Sequence, residues 1–155
     1  MNDAHLHLLI NHFPIVGTVF GFGTLLVGII LKNKSVQNTA YIIFIICMIL
    51  AKASIFTGEK AEDIVENLGI SKNLIHEHEE QAETYMKLMY ALGVISIISL
   101  FANIKNHSKA NLLAFLTLIL AVVAVVLSKY VGTSGGQIRH TEIRENVQPE
   151  IKSPN

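Results

Sequence analysis

Pro14-Ile15-Val16-Gly17-Thr18-Val19-Phe20-Gly21-Phe22-Gly23-Thr24-Leu25-Leu26-Val27-Gly28-Ile29-Ile30-Leu31 contains no ionisable side chain. Its length approaches the ~20 residues that a helix needs to cross about 30 Å of hydrocarbon. Three more long apolar blocks follow, at Thr39–Phe56, Tyr85–Ile104 and Ala110–Val131, each with a single lysine. Only 15% of the 155 residues are charged and 51% are hydrophobic, where a soluble domain carries about 25% charged residues. Long apolar blocks rather than alternating ones point to bilayer spans, not to the core of a soluble domain. The expected fold is all-α: an integral membrane, antiparallel four-helix bundle, with an extra-membrane helical hairpin between spans two and three.

Within the first block Gly17, Gly21, Thr24 and Gly28 share one helical face, a small-residue stripe that admits a neighbouring helix. We read it as packing inside the bundle. Pro14 suits a first helical turn, with Asn11 or His12 as the cap. The short connectors Lys32–Gln37 and Lys105–Lys109 allow only tight hairpins. The middle connector, Gly58–Thr84, is long and charged. There Leu68-Gly69 reads as a helix stop, and Ser71 or Asn73 as the cap of the next helix. Residues 1–140 thus form the four-span domain and 141–155 a flexible polar tail, its last ten residues expected to be disordered.

Four crossings put both termini and the middle connector on one side. That side carries all twelve acidic residues and six of the seven histidines, while the short loops carry four lysines and no acid. By the positive-inside rule the short loops are cytoplasmic, which places the acidic side and both termini on the periplasmic or outer side of the membrane. The zero net charge offers no footprint for nucleic acid. A lone cysteine, Cys47, excludes an intramolecular disulfide and a thiolate cluster. Met1-Asn2-Asp3 lacks a positive n-region and the first apolar block is too long for an h-region, so no cleaved signal peptide is expected.

Upstream of the first span lies Ala4-His5-Leu6-His7-Leu8-Leu9-Ile10-Asn11-His12. Imidazole is a poor guest in hydrocarbon and a good ligand for transition metals and haem iron. On a helix His5 and His12 would share a face; in an extended segment His5 and His7 would share a side. A second cluster is His76-Glu77-His78-Glu79-Glu80. There His76 shares a helical face with Glu79, Glu80 and Glu83 while His78 is turned away, so one of the two rings can face inward. A third is the acidic face of Glu59, Glu62, Asp63 and Glu66. It reads as the solvated side of an interfacial helix, or else Glu59 or Glu62 supplies an oxygen ligand or pairs with Lys52. Gly135-Gly136 allows the chain to turn back across the bundle mouth and bring Arg139 and His140 to the site. His107 is polar loop filler.

His7, His12-Phe13-Pro14-Ile15, Thr57-Gly58 and Gly135-Gly136 resemble a family of small bacterial four-span membrane proteins, domain of unknown function 2231. Its members typically open with two His-Pro pairs ahead of a Phe-Pro-Ile span entry and close on a Gly-Gly turn. His7 matches the second of those histidines, His5 lies one place off the first, and neither is followed by proline here. Family members occur fused to, or beside, redox domains, and the resemblance therefore implies electron transfer or haem chemistry.

The expected site is a transition metal (zinc, copper or iron) or haem b at the outer mouth. It would be held by His7, His12 and one or both of His76 and His78, with His5, Glu59, Glu79, Glu80 and His140 as further candidate ligands. Haem would call for two histidines on different helices, such as His12 with His76 or His78. The expected partners are the lipid bilayer and a redox partner or membrane complex, or a second copy of the chain. The alternative is a non-catalytic subunit or scaffold that docks a partner through its acidic outer face. A transporter or proton relay is disfavoured, because the spans hold no acid and no midplane histidine.

Overall fold

A computed structural model describes residues 2–144. The chain forms α1 (Asp3–Ile10), α2 (His12–Ile30), α3 (Lys34–Asn67), α4 (Lys72–Ile104) and α5 (Ala110–Arg139), then a 3-10 turn at Thr141–Ile143. Four helical segments are long and apolar enough to cross a membrane: α1 with α2, then α3, α4 and α5. The protein is a multi-pass, all-α membrane bundle. The polar tail from 145 onward lies outside the described residues, as do the last ten residues expected to be disordered.

Each helix packs on the next, and α2 also meets α5, closing a ring of four. The seam between α2 and α3 is set by the glycine stripe. A Cβ on Gly21 would lie 2.6 Å from the Phe44 ring, and one on Gly28 would lie 2.8 Å from the backbone nitrogen of Gln37. Gly93 gives Met48 the same close access to α4. Inside the ring lie Leu25, Tyr41, Phe44, Met89 and Leu92, all fully buried. Buried hydroxyls return their protons to the preceding turn of their own helices, Thr18 to Pro14 O, Ser96 to Leu92 O and Thr117 to Leu113 O. Those three donors are thereby paired, as a solvent without water requires, whereas the buried Tyr41 hydroxyl has no hydrogen-bond partner among the described residues. The outward face shows Phe20, Ile30, Phe101, Ile119 and similar side chains, as a lipid-facing surface should.

The two arms of the expected hairpin continue the spans on either side of it. α3 runs unbroken for 34 residues and α4 for 33, about 50 Å each at 1.5 Å per residue, so both overshoot the hydrocarbon and meet above it. The turn between them follows the sequence reading: Leu68 caps α3, and Gly69 takes φ +80°, where a side chain would be strained. Ser71 precedes α4, although its side chain makes no capping bond.

The entry to the first span differs from the expected cap. Asn11 is helical, its N–H bonded to His7 O and its side chain not capping α2. The break between α1 and α2 has a covalent cause: Pro14 has no N–H to offer the Ile10 carbonyl. The opening stretch is helical, a rod of about two turns laid against α3. At the other end, Gly135 and Gly136 do not turn the chain. α5 passes through both and ends at Arg139, and Arg144 folds back to donate to the carbonyls of Gln137 and Ile138.

Candidate functional site

α1, the overshooting ends of α3 and α4, and the last turns of α5 enclose a cavity of about 470 Å³ at the end of the bundle where α3 turns into α4. That volume lies in the range of small-molecule and cofactor sites. Ile55, Ile64, Val65, Ile75 and Ile138 make its apolar walls, and Glu59, Glu62, Glu79 and Glu83 with Arg139 its polar ones. Both His7 and His78 line it, from different helices. Each ring is half-buried and lies beyond the apolar spans.

The hydrogen bonds fix which nitrogen of each ring faces the protein. His7 Nδ1 lies 3.0 Å from Ser54 O and 3.3 Å from Thr57 Oγ1. A carbonyl only accepts, so Nδ1 carries the proton and Nε2 keeps its lone pair. The Thr57 hydroxyl donates to Ala53 O and Ser54 O and is free to accept from the same N–H. His78 Nδ1 lies 3.0 Å from Ser134 Oγ, and Ser134 donates to Val131 O. With its proton committed there, Ser134 accepts from His78 Nδ1–H, and a second bare Nε2 results. A glycine underlies each ring. A Cβ on Gly58 would lie 3.1 Å from His7 Cε1, and one on Gly135 would lie 2.9 Å from His78 Cε1.

Burial pushes both imidazoles below the usual 6.5. For His7 the Ser54 carbonyl opposes this and a charge on His12 adds to it; for His78 a charge on His7 adds to it. Two neutral rings are therefore favoured, which is the state that binds metal. Glu79 is displaced upward, by burial first and by Glu62 next.

The sign of the resulting pH dependence follows from proton counts. Between the lowered pKa values and 6.5 the unfolded chain binds more protons than the folded one. Stability from these rings is full above about pH 6.5 and lost as pH falls below it. Glu79 acts in the opposite sense, its contribution being lost as pH rises through its folded pKa. The difference in thermal midpoint between wild type and His78→Gln isolates the ring. It is expected to shrink as pH drops from about 7.5 to about 5, and a pH-independent difference would rule out a buried neutral His78.

The other candidates are placed as follows. His5 and Glu59 line the cavity but are exposed, and the His5 N–H is capped by Asn2 Oδ1. Glu79 lines it and is partly buried. His12, His76, Glu80 and His140 are exposed and outside the lining. His76 faces Glu80 at 3.5 Å, and His140 Nδ1 faces Glu142 at 2.9 Å. Arg139 reaches the cavity because α5 continues to it, not because the glycines bend the chain. Lys52 is exposed and makes no ion pair with Glu59 or Glu62 among the described residues. Also among the described residues, no group of three His, Cys, Asp or Glu side chains is disposed to hold a metal ion.

The supporting groups Ser54, Ser134 and Gly58 gave no chemical signal in the sequence, since serine and glycine near a helix end are commonplace. Their one trace is that Thr57-Gly58 and Gly135 belong to the motifs that carry the family resemblance. No curated protein and no solved structure matches the chain. A family model does, described as a predicted membrane protein of domain of unknown function 2231, over residues 4–142. The chain belongs to that family.

Proposed function

We propose that the outer-mouth cavity binds haem b between His7 and His78, and that the protein is a small electron-transfer component of a bacterial inner membrane. The observation that carries the reading is the pair of half-buried imidazoles on separate helices, each with Nδ1–H anchored to protein and Nε2 bare. Metal-bound histidines are oriented in this way by an acceptor on the second nitrogen. A zinc or copper ion asks for three or four protein donors, more than any group offers here among the described residues. Haem brings four nitrogens of its own and asks for two.

The walls are consistent with that choice. Asn11 Oδ1 is buried without a hydrogen-bond partner, and Asn11 and Arg139 both line the cavity. The Asn11 amide, turned over, and the Arg139 guanidinium would meet the carboxylates that haem carries at its edge. Bound there, haem supplies reversible one-electron transfer. Glu59, Glu62, Glu79 and Glu83 favour whichever redox state bears more positive charge, and so hold the potential low. The positive-inside count of the short loops supports a periplasmic mouth.

The test is an absorption spectrum of the detergent-purified protein together with elemental analysis. A Soret band at one haem per chain is expected. Stoichiometric zinc or copper without a Soret band would replace haem by an ion. Protein free of both and eluting with a partner would favour docking through the acidic outer face.

A further inference from the structure

The order histidine, span, lysine-asparagine loop, span, hydroxyl-glycine occurs twice. In the first half it is His7, α2, Lys32-Asn33-Lys34-Ser35, α3 and Thr57-Gly58; in the second it is His78, α4, Lys105-Asn106-His107-Ser108, α5 and Ser134-Gly135. The loops close in the same way. After α2, Lys32 N–H donates to Ile29 O and Asn33 N–H to Gly28 O; after α4, Asn106 N–H donates to Asn103 O and His107 N–H to Ala102 O. The residue past each helix is left-handed, Lys32 at φ 50° and Asn106 at φ 52°, although neither is glycine. This is one C-terminal capping motif used twice. Each histidine also rests on the second arm of its own hairpin, His7 on Ser54, Thr57 and Gly58, and His78 on Ser134 and Gly135. The four spans close a ring in chain order, so the two hairpins stand side by side around it.

We propose that the chain is a tandem repeat of one hairpin unit, that each unit builds one complete half of the cofactor site, and that Gly58 and Gly135 are the positioning residues that set the two imidazoles. This rests on the haem reading above and adds to it which residues hold the ligands in place. Glycine inside a helix is unfavourable against alanine, and at these two positions the missing Cβ is what leaves room for a ring. Counted from the left-handed residues, Gly58 stands 26 residues after Lys32 and Gly135 stands 29 after Asn106, so the arms differ by three residues, about one helical turn. A one-turn offset keeps a residue on the same face.

The experiment is a titration of hemin into the full-length protein in detergent, followed by Soret absorbance and by the spin state of the iron. Gly58→Ala and Gly135→Ala are each expected to weaken binding by about 10- to 100-fold and to move the spectrum from low towards high spin. Gly132→Ala, whose Cβ would have only Ile15 Cδ1 at 4.0 Å, is expected to match wild type. Ser134→Ala is expected to weaken binding and Ser134→Thr, which keeps the hydroxyl, to restore it; this pair decides the matter if a glycine variant fails to fold. Wild-type binding with unchanged Gly58→Ala or Gly135→Ala, or with an effect from one of them alone, overturns the two-unit site and leaves the haem reading standing. A wild-type protein that takes up no hemin overturns both.

Discussion

Replacing His7 and His78 together by alanine is expected to abolish the Soret band of the purified protein, while His12→Ala, His76→Ala and His107→Ala leave it in place. The double variant removes the two bare Nε2 atoms of the cavity, whereas the three controls alter exposed rings outside its lining. Either single variant should leave iron with one protein ligand, visible as a high-spin spectrum that added imidazole returns to low spin. Folding should survive in all of them. Truncating His7 leaves Ser54 O within its own helix, truncating His78 leaves Ser134 Oγ still donating to Val131 O, and the emptied space opens onto an existing cavity. Loss of the band in His12→Ala with retention in His7→Ala would relocate the site to the face of α2.

Gly28→Ala is expected to destabilise the bundle by about 1–3 kcal/mol, the usual cost of overpacking a tight core. Its Cβ would lie 2.8 Å from Gln37 N and 3.2 Å from Gln37 Cα, and backbone cannot move aside as a side chain can. The α2–α3 crossing must widen, which also strains the Gln37 Nε2 to Gly28 O bond of 3.1 Å. Gly23→Ala is the contrasting case. Nothing lies within 4 Å of its Cβ, and the change is expected to stabilise the helix by about 1 kcal/mol. Reversible denaturation in mixed detergent, read by circular dichroism, ranks the two against wild type; equal midpoints would show that the seam has slack.

The spans were legible because the bilayer imposes a length and a composition that few other environments share. The glycine stripe was legible for a related reason, since its spacing repeats along one helical face. The site was legible only in outline. Topology brought the histidines to one rim, but which of them face inward depends on helix rotation. His7 turns in and His12 out because Pro14 interrupts the ladder between α1 and α2, and the size of that break is not encoded in any local pattern. For His76 and His78 the choice falls to Ser134, 56 residues further along the chain. Gly135-Gly136 was misread as a turn because glycine serves bends and close approaches alike. The partner that settles which, the His78 ring, is equally distant in sequence.

α3 carries Gln37, wedged against Gly28, near one end, and Gly58, under His7, about 31 Å further along at 1.5 Å per residue. The helix is continuous between those points and contains no proline. It is therefore a single strut that ties the tight seam at Gly28 to the floor beneath the His7 ring, so that the spacing of the packed spans and the placement of that ring are carried by one rigid element.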